Sequence, residues 1–237
     1  MKGLELLAPA RNADTGIAAI DCGADAVYIA GPDFGARKAA GNPVEDIAGL
    51  SEYAHRFGAR VFVTFNTVIF DDELETAHRQ MLQAQEAGAD AFIIRDERIL
   101  GWDDIKVPLH ASTQCAIRDV RRARHFDEAG CARIILERQL PLTTIREICS
   151  AVQCEVEFFV HGALCVGYSG ECRLSEYLNG RKGIMAITVS AIGEMAMPGF
   201  TVYSSSKFAM HGFQQGIRLE KPDNVQLTCL YPVATDT

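Results

Sequence analysis

Short apolar runs alternate along this chain with longer segments in which apolar residues return every three or four positions, and glycine marks the change from one to the other. The runs Leu4 to Ala8, Ala26 to Ile29, Arg60 to Phe65, Ala91 to Ile94, a short one ending near His110, Arg133 to Leu136 and Glu155 to Val160 read as strands. Between them, Val44 to Phe57 and Glu73 to Ala87 carry charges on one side and Ala, Leu or Met on the other, the pattern of helices lying against a sheet. Four helical segments end in a glycine that leads directly into a strand, at Gly23, Gly58, Gly88 and Gly130. The residue after a helix commonly turns left-handed, a conformation that only glycine takes without penalty. These glycines lie 35, 30 and 42 residues apart, the length of one strand plus one helix.

Seven strands with intervening helices predict a parallel α/β architecture. No glycine-rich phosphate loop follows the first strand, and polar residues recur at many strand ends. The expected fold is therefore a partial TIM-like (β/α) barrel rather than an open doubly wound sheet.

Composition narrows the picture. With 237 residues and 48% hydrophobic content the chain can bury a sizeable core. A net charge of −8 argues against attraction of nucleic acid to the whole surface. A local basic patch remains, because Arg118, Arg121, Arg122 and Arg124 crowd one short stretch, followed by Arg133 and Arg138. A solvated helix face is the favoured reading and an RNA contact the alternative. The first ten residues have too short an apolar core for a signal peptide, and no run is long enough to span a membrane, so the expected location is cytoplasmic. In that compartment the eight cysteines are expected as thiols or metal ligands. Cys22, Cys115, Cys131, Cys149, Cys154 and Cys229 lack ligand spacing and read as small core residues.

Parallel α/β folds place their chemistry at the C-terminal ends of the strands. Here those ends carry Asn66, Asp96, His110, Ser112, Gln114, Glu137, Arg138 and His161, which would converge on one face if the strands are barrel neighbours. The alternative for each one singly is a loop cap or a partner for a buried carbonyl.

The strings Glu5-Leu-Leu-Ala-Pro-Ala, Gly23-Ala-Asp-Ala-Val-Tyr-Ile, Phe34-Gly-Ala-Arg37, Val63-Thr-Phe-Asn66-Thr, Leu109-His-Ala-Ser-Thr-Gln114 and Glu157-Phe-Phe-Val-His-Gly-Ala-Leu-Cys165 carry a resemblance. From about residue 3 to Arg181 the chain resembles the peptidase U32 family, once called collagenase-like proteases. It is most similar to the branch that hydroxylates a cytidine of 23S ribosomal RNA. The resemblance implies prephenate-dependent RNA hydroxylation, with rRNA or tRNA as partner, and an iron-sulfur cluster held by four cysteines. It makes Cys165 and Cys172 the first two cluster ligands, His161, His110, Gln114 and Asn66 the catalytic candidates, and Arg37, Glu137 and Arg138 the substrate-binding ones. The family's next two cysteines would follow Arg181, and none stands there; Cys229 is the sole later thiol. Ser175 and Cys165 lack an identifiable base and orienting acid, so proteolysis ranks below RNA hydroxylation. A barrel that binds RNA or a small anion through Arg37, His110, Arg138 and His161 without chemistry is a further reading.

Residues 1–181 thus form the U32-type barrel region. Residues 182–237 form a β-α-β fragment that resembles the short-chain dehydrogenase/reductase family through Ser190, Tyr203-Ser-Ser-Ser-Lys207, Gly212 and Asn224-Val-Gln-Leu-Thr. That resemblance implies an alternative NAD(P)-dependent oxidoreductase. In it Ser190 orients a carbonyl, Tyr203 transfers the proton, and Lys207 lowers the tyrosine pKa and grips the ribose. The glycine-rich turn such an enzyme uses for its dinucleotide is missing. Two outcomes are open for the fragment: completion of the barrel as an eighth strand and outer helix, or a poorly packed tail that favours association.

Overall fold

The structure, a computed structural model, describes residues 4–36, 41–161 and 169–170. Seven strands form one sheet in simple chain order: β1 (Leu7–Ala10), β2 (Ala26–Ala30), β3 (Arg60–Phe65), β4 (Ala91–Ile94), β5 (Leu109–Ala111), β6 (Arg133–Ile135) and β7 (Glu155–Glu157). All six pairings are parallel. The connecting helices are α1 (Ala13–Asp21), α2 (Val44–Arg56), α3 (Leu74–Glu86), α4 (Val120–Glu128) and α5 (Leu142–Ala151), and β4 reaches β5 through a 3₁₀ turn at Glu97–Gly101.

Each helix starts and stops for local reasons. Asn12 caps α1, accepting from the Thr15 amide at 3.0 Å while its own amide donates to Thr15 Oγ1 at 3.0 Å. Asp119 caps α4 through the Arg122 amide at 2.8 Å. The four glycines expected to end helices all take positive φ, between 71° and 97°.

Alternation along the strands separates two faces. Val61, Val63 and Phe65 join the apolar layer beneath α1, α2 and α3, whereas Phe62, between them, belongs to a second cluster with Ala26, Ala91, Ile93 and Ile135. The first layer continues under α4 and α5 through Ala111, Phe126, Ile134 and Leu136. Full burial of a side chain such as Phe62, Phe65, Phe92 or Phe126 stabilises by roughly 1.5–3 kcal/mol.

The second face is concave. In a flat sheet β1 and β6 would lie five strand spacings apart, about 24 Å. Yet Arg133, the first residue of β6, donates to Glu5, just before β1, at 2.7 Å. The sheet therefore curls until its first and sixth strands meet across a charge pair, and the unreversed strand order is that of a barrel. This is the TIM-like (β/α) half-barrel that the repeat predicts.

β2 and β6 each differ from expectation by one residue at the end, and the first and last strands differ more. β1 begins at Leu7 rather than Leu4, leaving Leu4 and Leu6 exposed, and β7 stops at Glu157 with Val160 exposed. Apolar character alone extended the last run beyond its ladder, whereas in the first Leu6 still accepts the Asp25 and Ala26 amides with its side chain exposed. The predicted C-terminal β-α-β fragment lies outside the described residues. Among the described residues no helix is long and apolar enough to cross a membrane.

Candidate functional site at the C-terminal end of the strands

Polar side chains that follow β3, β4, β5 and β6 meet on the concave face. Asn66, directly after β3, accepts the Ala36 amide through Oδ1 at 2.9 Å and donates from Nδ2 to Ser112 Oγ at 3.2 Å. Ser112, directly after β5, also receives the Gln114 amide at 3.1 Å. Gln114 sits in the 3₁₀ turn Thr113–Cys115, which closes at Ala116 with φ of 53°, the only non-glycine residue with positive φ among those described. Strained backbone of this kind gathers at ligand sites because the surrounding structure has to hold it.

Arg95, after β4, ties the mouth together. Its Nε donates to the Gln114 carbonyl at 3.3 Å and its terminal nitrogen to the Gly170 carbonyl at 3.0 Å. Glu137, after β6, accepts the Ser169 amide through Oε1 at 3.0 Å. Gly170 has φ of 78°, and a Cβ there would collide with the Gln114 carbonyl oxygen, so only glycine fits. Arg138 lays its guanidinium over the Phe159 ring at 4.6 Å. Three buried atoms of this region have no hydrogen-bond partner among the described residues: Gln114 Oε1, Glu137 Oε2 and Arg138 Nε.

His110 stands apart from this group. The expectation placed it at a strand end, but it lies within β5, paired in register with Arg133 at the opposite end of the concave face. Its ring meets Phe62 edge-on at 4.9 Å, and its Nδ1 is buried without a partner. Burial, reinforced by the Arg133 charge and opposed by Glu155, pushes its pKa down to about 3. The imidazole is thus neutral near pH 7. Beneath it Arg133 joins Glu5, Glu155 and Glu157, at 2.7, 2.6 and 3.2 Å, and Arg60 also contacts Glu5. Burial holds the Glu157 carboxyl above its usual range, with Arg133 opposing.

The other expectations divide. Asp96 turns away from the mouth, capping the Arg98 amide at 3.0 Å and pairing with the Arg98 guanidinium at 2.7 Å. Arg133 is buried in the floor and so contributes nothing to a basic surface. On α4, Arg122 pairs with Glu97 at 2.8 Å and stacks on Phe126, as a solvated helix face would. Cys115 and Cys131 are buried as expected, but Cys22 and Cys149 are exposed rather than core residues. Burial raises the pKa of Cys115 to about 12, of Cys131 to about 11 and of Cys154 to about 12. His161 is exposed where the described strand region ends. Arg37, Cys165, Cys172, Ser190, Tyr203 and Lys207 lie outside the described residues. Sequence reading missed Arg95 as a mouth residue, and also the Ser169-Gly170 pair. The signal for Arg95 was its place directly after an apolar strand, the same mark that Asn66 carries.

The comparisons agree with this geometry. The profile of peptidase family U32 matches residues 11–185, and that of the short chain dehydrogenases matches residues 171–237. The chain is 51% identical over 178 residues to the 23S rRNA 5-hydroxycytidine C2501 synthase of Escherichia coli, covering 75% of this chain and 27% of that protein. It is 34% identical over 181 residues to the tRNA hydroxylation protein P1 of Bacillus subtilis, covering 75% of this chain and 43% of the relative. It therefore spans between about a quarter and under half of the length of these curated relatives. The solved structure of the U32 peptidase Mk0906 shares the fold at a TM-score of 0.55 and 12% identity, over 66% of this chain and 68% of that one. With a profile match over most of its length and a polar-mouthed parallel half-barrel beneath it, the chain belongs to peptidase family U32.

Proposed function

We propose that this chain is the barrel part of an RNA base hydroxylase whose target is a cytidine of ribosomal RNA. The observation that carries the reading is the 51% identity with the E. coli cytidine enzyme over three quarters of this chain, a stretch that includes the mouth. The mouth supplies suitable chemistry. Asn66, Gln114 and Glu137 present directional acceptors and donors, while Arg138 beside Phe159 offers a flat cationic surface on which a base or a carboxylate cosubstrate such as prephenate can rest. Arg37 is proposed to share the binding of that cosubstrate and His161 to act as the acid-base group, whereas His110, buried at the other end of the concave face with its pKa pushed down to about 3, is not placed to do so.

An iron-sulfur cluster would supply electron-transfer or radical chemistry in such an enzyme. The described residues do not fit one. Among them no group of three His, Cys, Asp or Glu side chains could hold a metal ion. The proposal assigns Cys165 and Cys172 as two of the four thiolates that a cluster normally takes, and no mechanistic step is routed through it. Turnover by this chain alone is accordingly proposed to be weak.

The test is made with the purified chain and an RNA stem-loop that carries the target cytidine. Saturable RNA binding, with little hydroxycytidine detected by nucleoside mass spectrometry, is expected. Absence of RNA binding overturns the reading, and hydroxylation as fast as that of a full-length relative overturns the proposed weak turnover.

The match of residues 171–237 supports a second reading, an oxidoreductase fragment using Ser190, Tyr203 and Lys207 with NAD(P). Against it, the turn from β1 into α1 reads Ala10-Arg11-Asn12 without a glycine, and the Asn12 side chain takes the Thr15 amide that a pyrophosphate would use.

A further inference from the structure

A carboxylate can only accept hydrogen bonds, whereas a side-chain amide can present either a donor or an acceptor by rotating. Of the two unpartnered buried acceptors at the mouth, Glu137 Oε2 and Gln114 Oε1, only the first therefore has a fixed polarity. Glu137 is 5% exposed, and its orientation is set because Oε1 receives the Ser169 amide at 3.0 Å. Its main chain is held as well, the Glu137 amide donating to the Ile117 carbonyl at 2.9 Å. A buried acceptor oriented in this way and left without a donor is disfavoured, and a ligand N–H that reaches it removes the disadvantage. The adjoining residue, Arg138, holds its guanidinium over the Phe159 ring at 4.6 Å and has its buried Nε without an acceptor among the described residues. One fixed acceptor and one free donor beside a planar surface match the edge of a cytosine, which offers an exocyclic amine next to ring and carbonyl acceptors.

Building on the RNA reading above, we propose that Glu137 determines which pyrimidine the site takes. Its Oε2 accepts a hydrogen bond from the N4 amine of cytosine and disfavours uracil, whose O4 at the same place is itself an acceptor. The geometry makes the exchange Glu137→Gln informative because it conserves shape. The Ser169 amide needs an oxygen opposite it, so the new amide keeps its carbonyl there and turns its NH₂ to the position of Oε2. That donor suits uracil O4 and opposes the N4 amine.

The experiment is fluorescence anisotropy with the purified chain and two RNA oligonucleotides that differ only in cytidine or uridine at the target position. The wild-type chain is expected to favour cytidine about tenfold, as one well-placed base contact typically discriminates. In E137Q the preference should vanish or reverse, with a thermal melt confirming the fold. A third oligonucleotide, with a pyrimidinone lacking the N4 amine at the target, tests the unaltered protein and should bind about tenfold more weakly than cytidine. Equal wild-type affinity for all three RNAs, or an E137Q variant that retains the cytidine preference, overturns this assignment while leaving RNA binding in place. If none of the RNAs binds, the RNA reading itself fails and the assignment falls with it.

Discussion

His110 carries a heavy electrostatic load for one residue. It is 4% exposed, lies beside Arg133 and has its pKa pushed down to about 3, whereas an unfolded chain takes up the proton near pH 6.5. Between those two values the unfolded state binds the extra proton, so the native state loses stability as pH falls through the window, by at most about 1.4 kcal/mol per pH unit. His110→Gln is expected to lose less stability than the wild type between pH 7 and pH 4.5 in urea titrations. Equal acid sensitivity of the two proteins would show that the imidazole is not the group responsible. The thiols allow a second test at this scale. Cys115 and Cys131 are buried with raised pKa, while Cys22 and Cys149 are exposed. Iodoacetamide at pH 8 should modify the exposed pair in the native protein and the buried pair only after denaturation, as read by peptide mass spectrometry. Sequence reading could not separate these four, because none has a neighbour in the chain that reports its exposure.

Among the elements, the join of β1 to β6 and β7 matters most, since it is made by side chains rather than by backbone pairing in the described sheet. Arg133, with its side chain 6% exposed, is the cation shared by Glu5, Glu155 and Glu157. Arg133→Met leaves the part-buried Glu157 without its cation, while Glu5 keeps Arg60 and Glu155 is half-exposed, and should cost about 1.5–3 kcal/mol in chemical denaturation. Glu155→Gln, at a half-exposed partner, should cost less than about 1 kcal/mol. The deficit of R133M should shrink from pH 8 to pH 5, because the orphaned carboxyl can then take up a proton. The helices follow from simpler rules. Asn12→Ala removes the α1 cap and is expected to cost about 0.5–2 kcal/mol, measurable in the same titrations. α2, predicted over Val44 to Phe57, is observed over Val44–Arg56, because its charge pattern and terminal glycine are local signals. Arg133 was read as part of a basic stretch because the acids that surround it come from β7 and from the residue five places into the chain.

For the whole molecule, an acidic chain with a polar barrel mouth and a second family's profile over residues 171–237 supports two classes of ligand. The Asn12 cap at the first βα turn favours the RNA reading proposed above. Titration with NADH and NADPH, followed by cofactor fluorescence, is expected to show no saturable binding up to millimolar concentration, while RNA binding should weaken as salt is raised. Saturable cofactor binding would favour the oxidoreductase fragment instead.

The fold class was legible in the amino-acid string because its signals are short-range: apolar runs, helical spacing, and glycines that must turn left-handed where a helix meets a strand. The residue types at the mouth were legible for the same reason, since Asn66, Gln114 and Glu137 each follow an apolar run. Which of them touch was settled only by the curl of the sheet. It sends His110 and Arg133 to the floor and brings Arg95 and Ser169-Gly170 against Gln114 and Glu137. Those pairings join residues up to 75 positions apart, and a separation of that size leaves no periodic trace for a linear reading to find.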